Sequence, residues 1–392
     1  MRVRKTLISL FLFLLILYVA LFPRPLGKEL LVRPMWTTVL PTVAAPSAEP
    51  GQQAPPQKSV IANSGPVSGK LREFRLGNRF GYIDGAGTIH YLDNVRYGLA
   101  LGEDRFVNYP RVSPRIDVED PSGATVISIN QDGYPVYIHN RLYVLSPDQT
   151  EISEYDRNGK PLWQKQLGGI ITAVAAGTKL TVIGLLDGSF EAVNQTGKAV
   201  FRDEPAGSSV PIILGIAVSD AEDHIAVVSG LNPQMLTIYE RSGDQYIASQ
   251  SRRLLTDFRH PVSVECVAGT SNVAYEAGKG VDIFSITDRR TASVEIPGVL
   301  HSLLPERVQG LLVAGALHGS RRDSGSNGSG EGGHAKGAFA DLTTAEVLLF
   351  MPDGRAVFRL RFPGSSLYLS ADGTRLLWGV DDTFIETELT IG

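Results

Sequence analysis

Strand signals recurring at intervals of roughly 40 residues predict an all-β fold built from a repeated four-strand unit. Two further observations agree. Forty-one glycines and 23 prolines punctuate the 392 residues at short intervals, as a chain of many tight turns requires. No stretch of eleven residues in the body keeps apolar side chains at i, i+3, i+4 and i+7, so helical periodicity is missing there. Aliphatic and aromatic residues make up 43% of the chain, charged residues 20%, and the net charge is −4. That is ordinary globular composition without the basic excess of nucleic-acid binders, and no nucleic-acid partner is expected.

The N-terminus differs from the rest. Thr6 to Phe22 is an apolar run preceded by Arg2, Arg4 and Lys5. At about 1.5 Å per residue it spans roughly 25 Å, near the lower limit for crossing a bilayer. Tyr18 stands where a cleavage site needs a small residue, so residues 1–22 read as an uncleaved signal anchor with membrane contact through 6–22. The short basic tail favours the cytoplasmic side, which places everything after Phe22 in the periplasm or another extracytoplasmic space. Residues 23–69 are rich in Pro and Ala and poor in large apolar groups, and are expected to form an extended, disordered tether.

The folded region is expected over 70–392. Its clearest unit starts at Ile170: an apolar strand to Ala176, a second over Lys179–Leu186, a third after Asp187-Gly188, and an outer strand over Lys198–Arg202. Upstream, Glu151–Lys165 gives a strand, an Asn158-Gly159 turn suited to positive φ, and an outer strand carrying Trp163. Gln234–Gly243, Val281–Asp288 and Glu346–Arg355 repeat the third-strand-plus-turn signal, and Ser370–Trp378 marks a turn between first and second strands. The spacing is that of propeller blades. Units over 79–120, 124–168, 170–204, 210–255, 261–297 and 299–362, with a last one from Ser365, predict a seven-bladed β-propeller. A different division of 79–135 would give eight. Leu71–Leu76 resembles the outer strand Ala356–Arg361 and is expected to complete the last blade, joining the chain ends and removing exposed edges.

The third strand, Asn/Asp-x-x-Gly turn and aromatic-bearing fourth strand at Tyr155–Trp163 and Val193–Phe201 resemble the repeat of quinoprotein-like and WD-repeat-like β-propellers. Ser370–Trp378 resembles the propeller repeat of periplasmic translocation proteins. The resemblance covers about Leu71 to Gly392. It implies the fold, and its quinone-cofactor members imply a set of acidic, metal-binding and adjacent cysteine residues that this chain, with one cysteine, does not display. No cofactor is expected.

A search for chemistry gives no catalytic, cofactor-binding or metal-binding residues. The histidines (His90, His139, His224, His260, His301, His318 and His334) are scattered without metal-pair spacing. Cys266 lies in an alternating strand and reads as a buried core residue. Asp156–Gly159 begins like a calcium loop but lacks the later ligands. Asp381-Asp382 reads as a solvated pair beside a turn rather than glycosidase carboxylates. Gly328–Gly333 matches GxGxxG inside a Gly/Ser-rich insertion at 319–338 with no helix after it, so a flexible or partner-contacting loop is expected. The sequence therefore points to a non-catalytic propeller tethered in the cell envelope that docks an envelope protein, with a small-ligand or glycan sensor, or less favoured a hydrolase, as the alternative.

Overall fold

A computed structural model describes residues 30–42, 61–62, 65–111, 114–243, 245–319 and 342–391. These contain strands and turns and no helix. The strands form eight four-stranded antiparallel sheets, the blades of a propeller. Blade 1 comprises Arg72–Leu76, Arg79–Ile83, Ile89–Asn94 and Ile61–Ala62. Blade 2 runs from Gly98–Leu101 to Thr125–Ile129, blade 3 from Tyr134–Ile138 to Pro161–Gln166, and blade 4 from Ile171–Ala176 to Ala199–Asp203. Blade 5 runs from Val210–Val218 to Gln245–Arg253, blade 6 from Val264–Cys266 to Arg290–Glu295, and blade 7 from Val299–Val308 to Ala356–Pro363. Blade 8 joins Leu367–Asp372, Arg375–Val380 and Thr383–Ile391 to the N-terminal strand Leu30–Val39.

There is no single core. Eight apolar clusters each bridge one pair of neighbouring blades, because a twisted sheet can bury both faces only against the next sheet. Phe190, Val182 and Leu180 of blade 4 pack on Ile213, Ile216 and Tyr239 of blade 5, for example. At the seam, Phe74, Leu76 and Leu92 of blade 1 pack on Leu377 and Phe384 of blade 8, with Phe74 and Phe384 rings 4.7 Å apart. The ring is closed.

Three expectations are corrected. The ring has eight blades, the division that the 79–135 region left open. The first two blades are built from strands of four to six residues, apart from the two-residue Ile61–Ala62, and the expected unit 79–120 straddles both. Leu30–Val39, placed in the tether, is a ten-residue strand paired with Thr383–Ile391 from Leu30 opposite Ile391 to Val39 opposite Thr383. Pro34 sits at a register irregularity on this outermost strand, where a missing N–H is tolerated. Leu71–Leu76 therefore does not complete the last blade. Its strand, Arg72–Leu76, takes the innermost position of blade 1. The expected anchor at 6–22 lies outside the described residues, as do all but Gly319 of the 319–338 insertion and most of the remaining tether. Among the described residues no helix is long and apolar enough to cross a membrane.

One turn recurs between third and fourth strands. Asp120, Asp156 and Asn194 each open a five-residue loop, with the side-chain oxygen accepting N–H groups two and four residues on. The fourth residue is a glycine at positive φ (Gly123, Gly159, Gly197) that backs onto the outer strand of the preceding blade. A Cβ on Gly197 would lie 2.7 Å from Trp163 Cβ, so glycine is required for space as well as for φ. In blade 1 the same turn is Asp84–Thr88, with Gly87 against Trp36. This identifies Arg72–Leu76, Arg79–Ile83 and Ile89–Asn94 as second, third and fourth strands, and Ile61–Ala62 as an extra member outside them. Among the described residues blade 1 has no first strand.

Blades 3 and 8 share a further device. Trp163 Nε1 donates to Glu154 Oε2 at 2.7 Å, and Arg141 grips both oxygens of the same carboxylate at 2.8 and 2.7 Å. Trp36 Nε1 donates to Glu386 Oε2 at 2.8 Å, where Arg72 at 2.6 Å and Arg375 at 3.7 Å supply the charge. Each Trp lies directly opposite its Glu across the third and fourth strands. The N-terminal strand is thus a true fourth strand by its side chains as well as its pairing.

Candidate interaction face

The loops fall on two faces. Linkers between blades hydrogen-bond to the turns between second and third strands: Val95 N to Asn78 O, Leu167 N to Thr150 O, Leu186 N to Ile170 O, Leu254 N to Gln234 O and Leu40 N to Asp382 O. These form the upper face. First-to-second and third-to-fourth turns form the lower one, joined by contacts such as Arg141 Nη1 to Gly177 O at 3.0 Å.

Exposed apolar side chains occur toward both. Among the described residues Val39, Tyr97, Ile170, Leu186, Val210, Leu255 and Val299 stand at the upper face, whereas Val67 stands among the lower loops and Leu31, Val126, Leu162, Ile247 and Val357 lie on outer strands near their lower ends. Those of the upper face over blades 4 to 6 form an arc. Ile170 and Leu186 share a backbone bond, and Gly188 packs on Pro211 next to Val210. Val210 pairs with Leu231, which with Pro233, Leu254 and Leu255 lines a cavity of about 490 Å³. Leu255 is 99% exposed. Arg253 and Arg259 border the same cavity, with Asp257 between them. Arginine is among the residue types enriched at interface hot spots. A second cavity, of about 390 Å³, lies on the other side of Leu255 toward Lys279 and Glu295. The linker 254–263 that carries the knob is anchored from beneath: Leu254 and Val262 are buried in the blade 5–blade 6 cluster, and Gln234 Nε2 donates to Phe258 O at 2.6 Å.

The residues singled out for chemistry are placed apart. His90 meets Asp84 at 3.1 Å, His224 meets Asp223 at 2.8 Å, and His318 meets the fully buried Glu346 at 3.1 Å. His139 sits in a turn at positive φ, His260 contacts the Pro261 carbonyl, and His301 faces the channel mouth. His334 and Gly328–Gly333 lie outside the described residues. Asp156 accepts N–H groups of Asn158 and Lys160 at 2.8 Å each, a hairpin turn. Asp381 is held by the backbone N–H groups and hydroxyls of Ser365 and Ser366 while Asp382 turns to Thr383. Those bonds keep the Asp381 carboxyl below its usual range against the opposing effect of burial, so it does not serve as a proton donor near neutrality. Cys266 is buried and its thiol is pushed up to about 12, first by burial and then by nearby carboxylates. Glu265, on the inner strand of blade 6, is raised to about 7 by burial and by Glu306. No group of three or more His, Cys, Asp or Glu fit to hold a metal occurs among the described residues.

The Leu255 arc was not found from sequence. A lone Leu-Leu pair in a linker carries no sign of which leucine is buried, and here Leu254 is buried and Leu255 is not.

A ring of antiparallel blades with a loop face of this kind defines the β-propellers. A family profile described as a beta-propeller protein matches residues 2–313, and the chain belongs to that family. It is 25% identical over 284 residues, 72% of its length and 73% of the relative's, to an uncharacterized protein of Treponema pallidum (strain Nichols). Among solved structures it resembles BamB from Moraxella catarrhalis, with a TM-score of 0.57 and 13% identity over 91% of this chain and all of that one. It also resembles the computationally designed Ika8 protein, with a TM-score of 0.53 and 14% identity over 84% and 98%. At these identities the likeness is one of fold.

Proposed function

We propose that this propeller is a non-catalytic scaffold of the cell envelope that docks a partner protein on its upper face, over blades 4 to 6. The carrying observation is Leu255, exposed beside its cavity at one end of a series of exposed apolar residues that reaches Ile170, since exposed apolar surface bordered by polar residues marks interaction sites. The direction of the N-terminal strand supports the same reading. Leu30 pairs with Ile391 at the lower end of blade 8, and Val39 reaches the upper loops. The described chain therefore enters the ring from the lower side, opposite the arc.

The test is site-specific photo-crosslinking of the full chain in its native membranes. Probes at positions 170 and 255 are expected to capture one reproducible protein that a probe at position 67 does not. Leu255→Asp should lower capture by the probe at position 170 ten-fold or more, because a buried leucine-sized side chain contributes about 1.5–3 kcal/mol. Equal capture on both faces, or none by a correctly folded protein, would remove the docking reading.

A further inference from the structure

The arc of the ring opposite the Leu255 patch holds a different kind of concavity. Among the described residues Arg72–Leu76 is the innermost strand of blade 1, and it meets the inner strand of blade 8, which in turn meets that of blade 7. A cavity of about 470 Å³ opens there at the upper mouth, lined by Arg75, His301, Ser302, Ser366, Leu367 and Tyr368 among others. That volume suits a small molecule. Its lining contains Arg75 and His301 and no carboxylate, in a protein whose net charge is negative.

The hydrogen-bonding inventory sorts the polar groups. Ser365 and Ser366 already commit their hydroxyls to Asp381, and the Tyr368 hydroxyl donates to Glu73 O. Arg75 is exposed, and its side chain makes no hydrogen bond or ion pair among the described residues. Removal of water by the surrounding walls lowers the His301 pKa. A hydrogen bond to the Leu367 backbone opposes this, and the nearby Arg75 charge adds to it. Two cationic or potentially cationic side chains therefore converge without an acidic partner, although 226 residues separate them in sequence.

We infer that this recess binds a small anionic ligand bearing a carboxylate or phosphate group, with Arg75 as the fixed charge and His301 and Ser302 as further donors. Arg75 is suited to this because its guanidinium presents several N–H donors to one anionic head. Binding an anion next to His301 favours the imidazolium, so the ligand should raise the His301 pKa. The inference stands independently of docking, since no residue of the Leu255 arc takes part.

The test is a titration of the full-length protein, ¹⁵N-labelled at histidine and held in nanodiscs of zwitterionic lipid, with citrate and separately with inorganic phosphate. Chloride at matched ionic strength is the control, and His301→Gln identifies the signal. The expected result is a saturable shift of His301 with citrate or phosphate and a raised His301 pKa. The apparent affinity should fall about ten-fold or more in Arg75→Gln, as loss of a charge-assisted hydrogen bond implies, and remain unchanged in Leu255→Asp. Shifts that stay linear for both anions, or that Arg75→Gln leaves unaltered, would overturn the proposal. A response that distinguishes citrate from phosphate identifies which head group fits.

Discussion

Asp84 shows how much one turn residue can hold. It accepts N–H groups from Ser68 at 2.9 Å, Ala86 at 2.9 Å and Thr88 at 2.8 Å, and meets His90 at 3.1 Å. Burial opposes its ionisation, but these donors prevail and hold its carboxyl at about 2, below the ordinary 3.8. A carboxylate depressed in the folded state contributes stability above its unfolded pKa, and that contribution is lost as pH falls from about 4 to about 2. The depression corresponds to on the order of 2 kcal/mol. Denaturant unfolding should show Asp84→Asn destabilised by about that amount at pH 7, with the gap to wild type closing below pH 3. A gap independent of pH would mean that the contribution is not ionic.

At the scale of the element, the third-to-fourth turn is both a hairpin and a lock between blades. Gly197 sits at φ +74° against Trp163, whereas Gly243 sits at φ +64° with open space around it. Both should lose about 1 kcal/mol on substitution by alanine through backbone strain. Gly197→Ala should lose a further 1–3 kcal/mol through overpacking, read as a correspondingly lower midpoint in thermal or denaturant unfolding. Equal losses at the two positions would show that the contact with Trp163 carries no energy. This turn was legible in sequence because its Asn-Gly or Asp-x-x-Gly chemistry is local, as at Asn158-Gly159 and Thr196-Gly197. Leu30–Val39 was not. Its partner lies some 350 residues on, no hairpin turn announces it, and Pro34 makes it look like the proline-rich stretch that follows. The same limit hid the blade count: Asp84–Thr88 repeats the turn of the other blades, but without Asn-Gly and with short strands beside it. The recess at Arg75 and His301 joins residues of blades 1 and 7, a proximity that only ring closure creates.

At the scale of the whole molecule, one strand reinforces the apolar seam that closes the ring. Trp36 Nε1 bonds Gly85 O at 3.0 Å as well as Glu386, and Thr38 Oγ1 donates to Gly87 O at 2.8 Å, so Leu30–Val39 ties blade 8 to blade 1 by side chains as well as through its ladder. Hydrogen-exchange mass spectrometry of Trp36→Ala should therefore show faster exchange over 30–39, 72–94 and 383–391, with blades 3 to 6 unchanged. Uniform acceleration around the ring would instead indicate that the eight blades open as one unit. The pairing also has a consequence for synthesis on the ribosome. Leu30–Val39 is made well before Thr383–Ile391 and must wait for it before its backbone groups find their partners. Until then the nascent chain is an open arc with an unpaired strand at one end. A chain that stopped before Thr383 would leave Leu30–Val39 without its ladder, so the early strand tests whether the late one was made.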